Sequence, residues 1–298
     1  MKPALLALAL ATPLAGASAQ GAESSFPLEP LHASSVALGG AGVALPGAQF
    51  FLLNPAATAK AHAAELSHWL SPMGAQDVAL SVSHGGGWGT VRVGARRRSW
   101  GDVARDLGLT DLTVAEQSIG LGFARTGAND RVAWGFSVAR LDADYLGARA
   151  HAWAIDLGAR ANAGKGLVLG VSLLHLGTDF RSGDTPSPLP ARIRPGAGWT
   201  GQIGSLRVLA AADLPFALRL DAPPDVHAGV EVGRTWGNVN AVTRAGYTSL
   251  ADRDGRGSRL TKWSLGGGLR LRQISANVAY MLGGVFGPER FLSLSIHW

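Results

Sequence analysis

From about residue 65 to the C-terminus, apolar residues alternate with polar or small ones at a period of two. In HAWAIDLGARAN, Trp153, Ile155, Leu157 and Ala159 stand against Ala154, Asp156, Gly158, Arg160 and Asn162. KWSLGGGLRLR sets Trp263, Leu265, Leu269 and Leu271 against Lys262, Ser264, Gly266, Gly268, Arg270 and Arg272, and ISANVAY repeats the pattern with Ile274, Ala276, Val278 and Tyr280. Period-two segments continue to the last residue, and no helical segment is long enough to cover them. The pattern predicts an all-β chain built on one large antiparallel sheet.

Such a sheet hides its apolar face inside a sandwich or turns it toward lipid as a closed barrel. The connections favour the barrel. HGGGW, TGAND, AGKG, GQIG, RTWGN and the Arg272-Gln273 turn are tight, while the intervening connections at 71–76, 100–111, 142–147, 178–191, 215–224, 249–260 and 282–289 are moderate or long. Alternation of short turns and longer loops over about fourteen strands is the pattern of an outer-membrane barrel. The outward aromatics Trp134, Trp153, Trp199, Trp263 and Tyr247 suit interfacial girdles.

The N-terminus and composition narrow the compartment. MKPALLALALATPLAGASAQ carries one Lys, an apolar stretch from Ala4 to Leu14, and small residues at Ala17 and Ala19, as a secretory signal does. Cleavage after Ala19 removes 19 of the 298 residues and leaves 279. No later window of about 18 apolar residues predicts a transmembrane helix. Only 16% of residues are charged, against about 25% in ordinary globular chains. The chain has no Cys, so disulfides, thiolate metal sites and a Cys nucleophile are excluded. Its net charge of +6 comes from singly dispersed basic residues, Arg96-Arg97-Arg98 excepted, and does not suggest nucleic acid.

No catalytic, cofactor or metal signature is present: G-x-S-x-G and H-E-x-x-H are absent, and AGKG around Lys165 lacks phosphate-loop spacing. A Ser-His-acid site assembled from distant strands through His151, His175 or His227 is the weaker alternative to rim or lumen histidines. The polar face places Arg92, Asp156, Arg160, Arg194, Arg207, Asp213, Glu231, Arg244 and Arg270 in the lumen. Ion pairs holding the interior together are the first expectation for these charges. A basic path or an Arg anchor for a carboxylate headgroup is the second. Glu231 and Arg244, on consecutive strands and one face, are the expected pair.

The segment ASSVALGGAGVALPGAQFFLLNPAATAKAHAAELSHWLSP resembles the N-terminus of the PorV/PorQ family of outer-membrane proteins, within the FadL-like group of long-chain fatty-acid transporters. The similar features are ALGGAGVAL, the NPAA at Asn54 to Ala57 and a first strand beginning AELSHW. PARIRPGAGW, VHAGVEVGRTWGNVNAVTRAGYTSL and SLGGGLRLRQISANVAYMLGG resemble its closing strands. The resemblance implies that residues 20–64 form a plug inside a barrel of residues 65–298, with Asn54, Pro55 and Ala56 as its motif. Pro55 biases Asn54 out of helical geometry and opens a possible helix that Asn54 would cap. The implied function is passive transport of hydrophobic or amphipathic small molecules. The alternative is a non-enzymatic role in type IX secretion, holding or shuttling exported proteins at the cell surface. The expected location is the bacterial outer membrane, with membrane lipid, the barrel-assembly machinery and a hydrophobic ligand or type IX proteins as partners. The ending FLSLSIHW, closing on Trp298, resembles the signal by which such barrels are recognised for assembly.

Overall fold

The computed structural model describes residues 31–72, 74–100, 114–127, 129–145, 148–182, 185–219, 223–251, 259–283 and 287–298. The expected signal peptide, the first part of the expected plug (20–30) and the middles of several loops lie outside them.

Alternating β-branched, aromatic and small residues with Gly-containing turns produce strands throughout. These are β1 (Ala63–Leu70), β2 (Gln76–Gly86), β3 (Gly89–Ser99), β4 (Val114–Thr126), β5 (Val132–Tyr145), β6 (Ala148–Gly164), β7 (Leu167–Gly177), β8 (Phe180–Ser182) and β9 (Thr185–Ser187). There follow β10 (Arg192–Ile203), β11 (Leu206–Asp213), β12 (Phe216–Ala217), β13 (Val226–Trp236), β14 (Val239–Ala251), β15 (Arg259–Leu271), β16 (Ile274–Leu282) and β17 (Glu289–His297). All belong to one sheet among the described residues. β8, β9 and β12 are short excursions in the loops, since β7 pairs directly with β10 and β11 with β13. The other fourteen form an antiparallel ring that closes where β1 pairs with β17, from Ala63 opposite His297 to Leu70 opposite Arg290.

Closure puts the apolar positions outside. Leu80, Leu121, Leu265, Leu269 and Ile296 are more than half exposed, while Asp77, Ser83, Ser264 and Ser293 are almost wholly buried. This is the reverse of a soluble protein. The turns at one end are tight, as between Gly86 and Gly89 or Leu271 and Ile274. The other end carries the longer connections, with one exception: β5 and β6 extend to Tyr145 and Ala148, so the link expected over 142–147 is largely strand. The first strand also starts at Ala63, two residues before the expected boundary.

Residues 31–62 contain a helix, α1 (Ala33–Ala37), and 3-10 turns at Ala48–Phe50 and Pro55–Thr58. They supply much of the buried apolar core. Leu38, Ala41, Leu45, Phe50, Leu53 and Ala57 pack against Ala211 of β11, while Leu31, Val36 and Ala37 pack with Trp69, Ala279 and Phe291.

Candidate functional site

The N-terminal segment reaches the inward face through backbone contacts that strand glycines permit. A Cβ on Gly135 of β5 would stand 2.8 Å from the Pro55 carbonyl carbon and 2.9 Å from the Ala56 nitrogen. One on Gly158 of β6 would overlap the Asn54 Oδ1, and one on Gly229 of β13 would stand 2.6 Å from the Leu38 Cα. Any larger residue at these positions displaces the segment.

Side chains then satisfy its backbone. Asn54 is fully buried: Oδ1 accepts from the Ala56 N–H at 2.9 Å, capping the 3-10 turn, and Nδ2 donates to the carbonyls of Val43 (2.7 Å), Ala159 (3.1 Å) and Val171 (3.4 Å). Arg160 donates to the carbonyls of Ala56 and Ala44 at 3.3 and 3.4 Å, and Ser172 to that of Leu53 at 2.7 Å. Asp213 Oδ2 accepts from the N–H groups of Gly42 (2.7 Å) and Val43 (3.1 Å), and Arg194, paired with the same oxygen at 2.8 Å, also donates to the Gly40 carbonyl. Thr248 Oγ1 donates to the Gly39 carbonyl at 2.6 Å, where His227 Nδ1 also lies 2.7 Å away. These anchors come from strands around the ring, so the segment is fastened on several sides.

His32 sets the start of α1. Its Nδ1 accepts from the Ser34 N–H at 3.2 Å, and its Nε2 lies 3.9 Å from Glu65 Oε1 and 3.4 Å from Ser295 Oγ. Burial pushes its pKa from 6.5 down to about 4, against the pull of Glu65, with Arg244, Arg92 and His297 adding to the depression.

A cavity of about 270 Å³ lies between this segment and the tight-turn end. Leu38, Leu45, Phe50, Leu209 and Val242 give it an apolar wall. Its polar wall centres on Glu231, which accepts from Arg244 Nε at 2.7 Å and Arg207 Nη2 at 2.5 Å, with Arg244 Nη1 donating to Asn277 at 3.0 Å. Glu231 and Arg244 are direct cross-strand partners. Arg270 also lines the cavity, and its Nε donates to the Arg272 carbonyl at 3.1 Å. The arrangement offers an apolar surface facing guanidinium groups, an environment for a molecule with both characters.

The remaining inward charges sit elsewhere. Arg92 pairs with Glu65 at 3.0 Å, and Asp156 accepts from Ser137 and from the His175 backbone. His151 is exposed, whereas His175 and His227 are buried on different strands with different partners, so the three assemble no common site. Trp298 is half exposed, and its N–H reaches the His62 carbonyl at 3.3 Å beside the closing strand pair.

The fold is that of solved hydrocarbon-transporter barrels. Over 91% of this chain and 99% of the other, it is similar to the Pseudomonas putida toluene transporter TodX, with 15% identity and a TM-score of 0.61. The Ralstonia pickettii toluene transporter TbuX matches at 12% identity and TM-score 0.57 over 92% and 100% of the two chains. The monoaromatic hydrocarbon channel CymD matches at 14% identity and TM-score 0.58 over 89% and 96%. No family profile and no curated protein matches this sequence.

Several participants were not among the expected charges. His32, Glu65, Ser172 and Thr248 anchor the segment or its surroundings, and Asp77 accepts from both Arg96 and Arg98 in a buried cluster. The period-two rule, run back to Ala63, marks Glu65 and Asp77 as inward and separates buried Arg96 and Arg98 from exposed Arg97. The same alternation puts Ser172 and Thr248 on the inward face, whereas His32, outside the strands, carried no such signal.

Proposed function

We propose that this chain is a bacterial outer-membrane barrel of the FadL-like type that passively admits hydrophobic or amphipathic small molecules. The observation that carries the reading is an inside-out barrel whose inward side chains bind the backbone of residues 39–56, with an amphipathic cavity beside those contacts. The exposed apolar belt suits lipid and would be a liability in water. We read residues 20–64 as a plug, supported by the anchors of residues 32–57, and residues 65–298 as the barrel. Similarity of fold to toluene and monoaromatic-hydrocarbon transporters supports transport of apolar solutes as the general activity.

Within that group, the PorV/PorQ assignment rests on motif order; NPAA, docked against Gly135 and Gly158, gives one of those motifs a structural role. The secretion role is the less favoured reading, because the longest loops, about a dozen residues in sequence, give little surface for a folded cargo. The cavity favours amphipathic molecules over purely apolar ones, since Arg244 and Arg207 face Leu45 and Phe50 across it.

The test is expression in a bacterial host lacking its own channels for hydrophobic compounds. The protein should fractionate with the outer membrane as a heat-modifiable band and raise uptake of labelled decanoate or toluene without raising uptake of a sugar of similar size. Folded protein in the outer membrane with unchanged uptake of both compounds would contradict the transport reading.

A further inference from the structure

The tight-turn end carries a one-sided charge. Arg125, Arg131, Lys165, Arg234 and Arg272 lie at or within three residues of the turns and are exposed, and Lys60 stands on the same rim. Among the described residues the only exposed acid at this end is Asp130, held by Lys60 at 2.7 Å, since Glu65 and Glu231 are buried in the lumen and paired there. At the loop end the charge is mixed: Arg140, Arg149, Arg219 and Lys262 pair with Asp142, Asp144, Asp179 and Glu289, alongside exposed Arg97, Arg181 and Arg290.

The level of these cations along the barrel is fixed by their neighbours. Arg125 and Arg234 point outward, in the same register as the lipid-facing Leu121 and Val232. Arg125 is the cross-strand partner of Trp134, and the Arg234 guanidinium lies 5.1 Å from the Trp236 ring centroid. Trp88, Trp134, Trp236 and Trp298 are all exposed at this end, and Phe123 stacks on Trp88 and meets Trp134 at a tilt. A band of exposed indoles at the edge of an apolar belt marks the headgroup level of a bilayer, so the cations project among headgroups.

We propose that the tight-turn rim is a docking surface for anionic phospholipid headgroups in the leaflet it faces, the lipid phosphates pairing with Arg125, Arg131, Lys165, Arg234 and Arg272. Guanidinium groups suit this role because they bind phosphate oxygens in bidentate fashion while resting on an indole face. Clustered basic groups next to a membrane surface attract acidic lipid and lose that attraction as salt rises. The function of the rim is then to fix the depth of the barrel and gather acidic lipid around it. The inference rests on the membrane-barrel reading above and is independent of what the barrel transports.

The experiment uses the full chain in nanodiscs of equimolar phosphatidylcholine and phosphatidylglycerol, with retained lipids counted by native mass spectrometry. Wild-type protein should retain phosphatidylglycerol several-fold over its bulk share, and half-molar salt should reduce the excess. The variant R125Q/R131Q/K165Q/R234Q/R272Q should retain both lipids in bulk proportion while remaining a heat-modifiable barrel. A control removing loop-end charge, R140Q/R149Q, should keep the wild-type excess. Bulk-proportion lipid on the wild type, an excess that survives in the five-site variant, or an excess lost in the loop-end control would overturn the proposal. If the five-site variant yields no folded barrel, the single variants R125Q and R234Q serve, each expected to lower the excess. Failure to enter nanodiscs at all would instead overturn the membrane reading.

Discussion

Asn54 shows how much one side chain can hold. With no Cβ-bearing residue at Gly158 in its way, it caps a turn and reaches three carbonyls belonging to the segment, β6 and β7. A cap alone is worth about 1 kcal/mol. Removing the amide also strands buried carbonyls, which adds about 1–3 kcal/mol. We therefore predict that Asn54→Ala loosens the segment by roughly 2–4 kcal/mol, read as faster hydrogen exchange at residues 42–58 with barrel strands unchanged. Unchanged exchange there would show that the anchor is redundant. Gly135→Val should act from the opposite side, forcing the Pro55 backbone away from β5 at a cost of about 1–3 kcal/mol, with the same exchange signature. The Asn-Pro step was legible in the sequence because Pro55 restricts Asn54 and a short amide is a natural cap. The three carbonyl partners were not, because each depends on which strand glycine lies opposite.

At the scale of elements, α1 and β17 carry separate predictions. His32 caps α1 as a neutral imidazole, facing Glu65, Arg92, Arg244 and His297. Its pKa is lower when docked than when free, so a displaced segment binds the proton more readily. Docking strength is therefore full above about pH 6.5 and is lost as pH falls toward about 4, by up to roughly 1.4 kcal/mol per unit. Exchange at residues 33–41, corrected for intrinsic rates, should rise between pH 7 and pH 5 in the wild type and show no such rise in His32→Gln. A wild-type profile flat with pH would remove His32 from the account. β17 lies between β16 and β1 and completes the ring, with Trp298 exposed at its end. Trp298→Asp should sharply lower the heat-modifiable fraction while export continues, measured by gel shift of membrane fractions. Normal yield would mean the terminal aromatic serves the interface alone. The strands were legible because their period is two and one face is greasy. α1 was not, since the small-residue run ASSVA has no amphipathic stripe and gains its helix from burial.

For the whole molecule, the barrel and its alternation of turns and loops follow from patterning, but the filling of the interior does not. In the sequence, inward charges such as Arg160, Arg194 and Asp213 read as ion pairs holding plug and strands together, and Arg194 does pair with Asp213 at 2.8 Å. In the structure they spend much of their hydrogen-bonding capacity on backbone groups of residues 40–56. A ring of about fourteen strands is wide enough to pass water unless something fills it. We propose that the chain's own N-terminus is that filling. Single-channel conductance in planar bilayers, comparing refolded full-length protein with protein lacking residues 31–62, tests it most directly, provided both show the barrel's heat-modifiable band. Little current should pass through the full-length protein, with large, steady openings once the segment is removed. Equal, large conductance in both would contradict it.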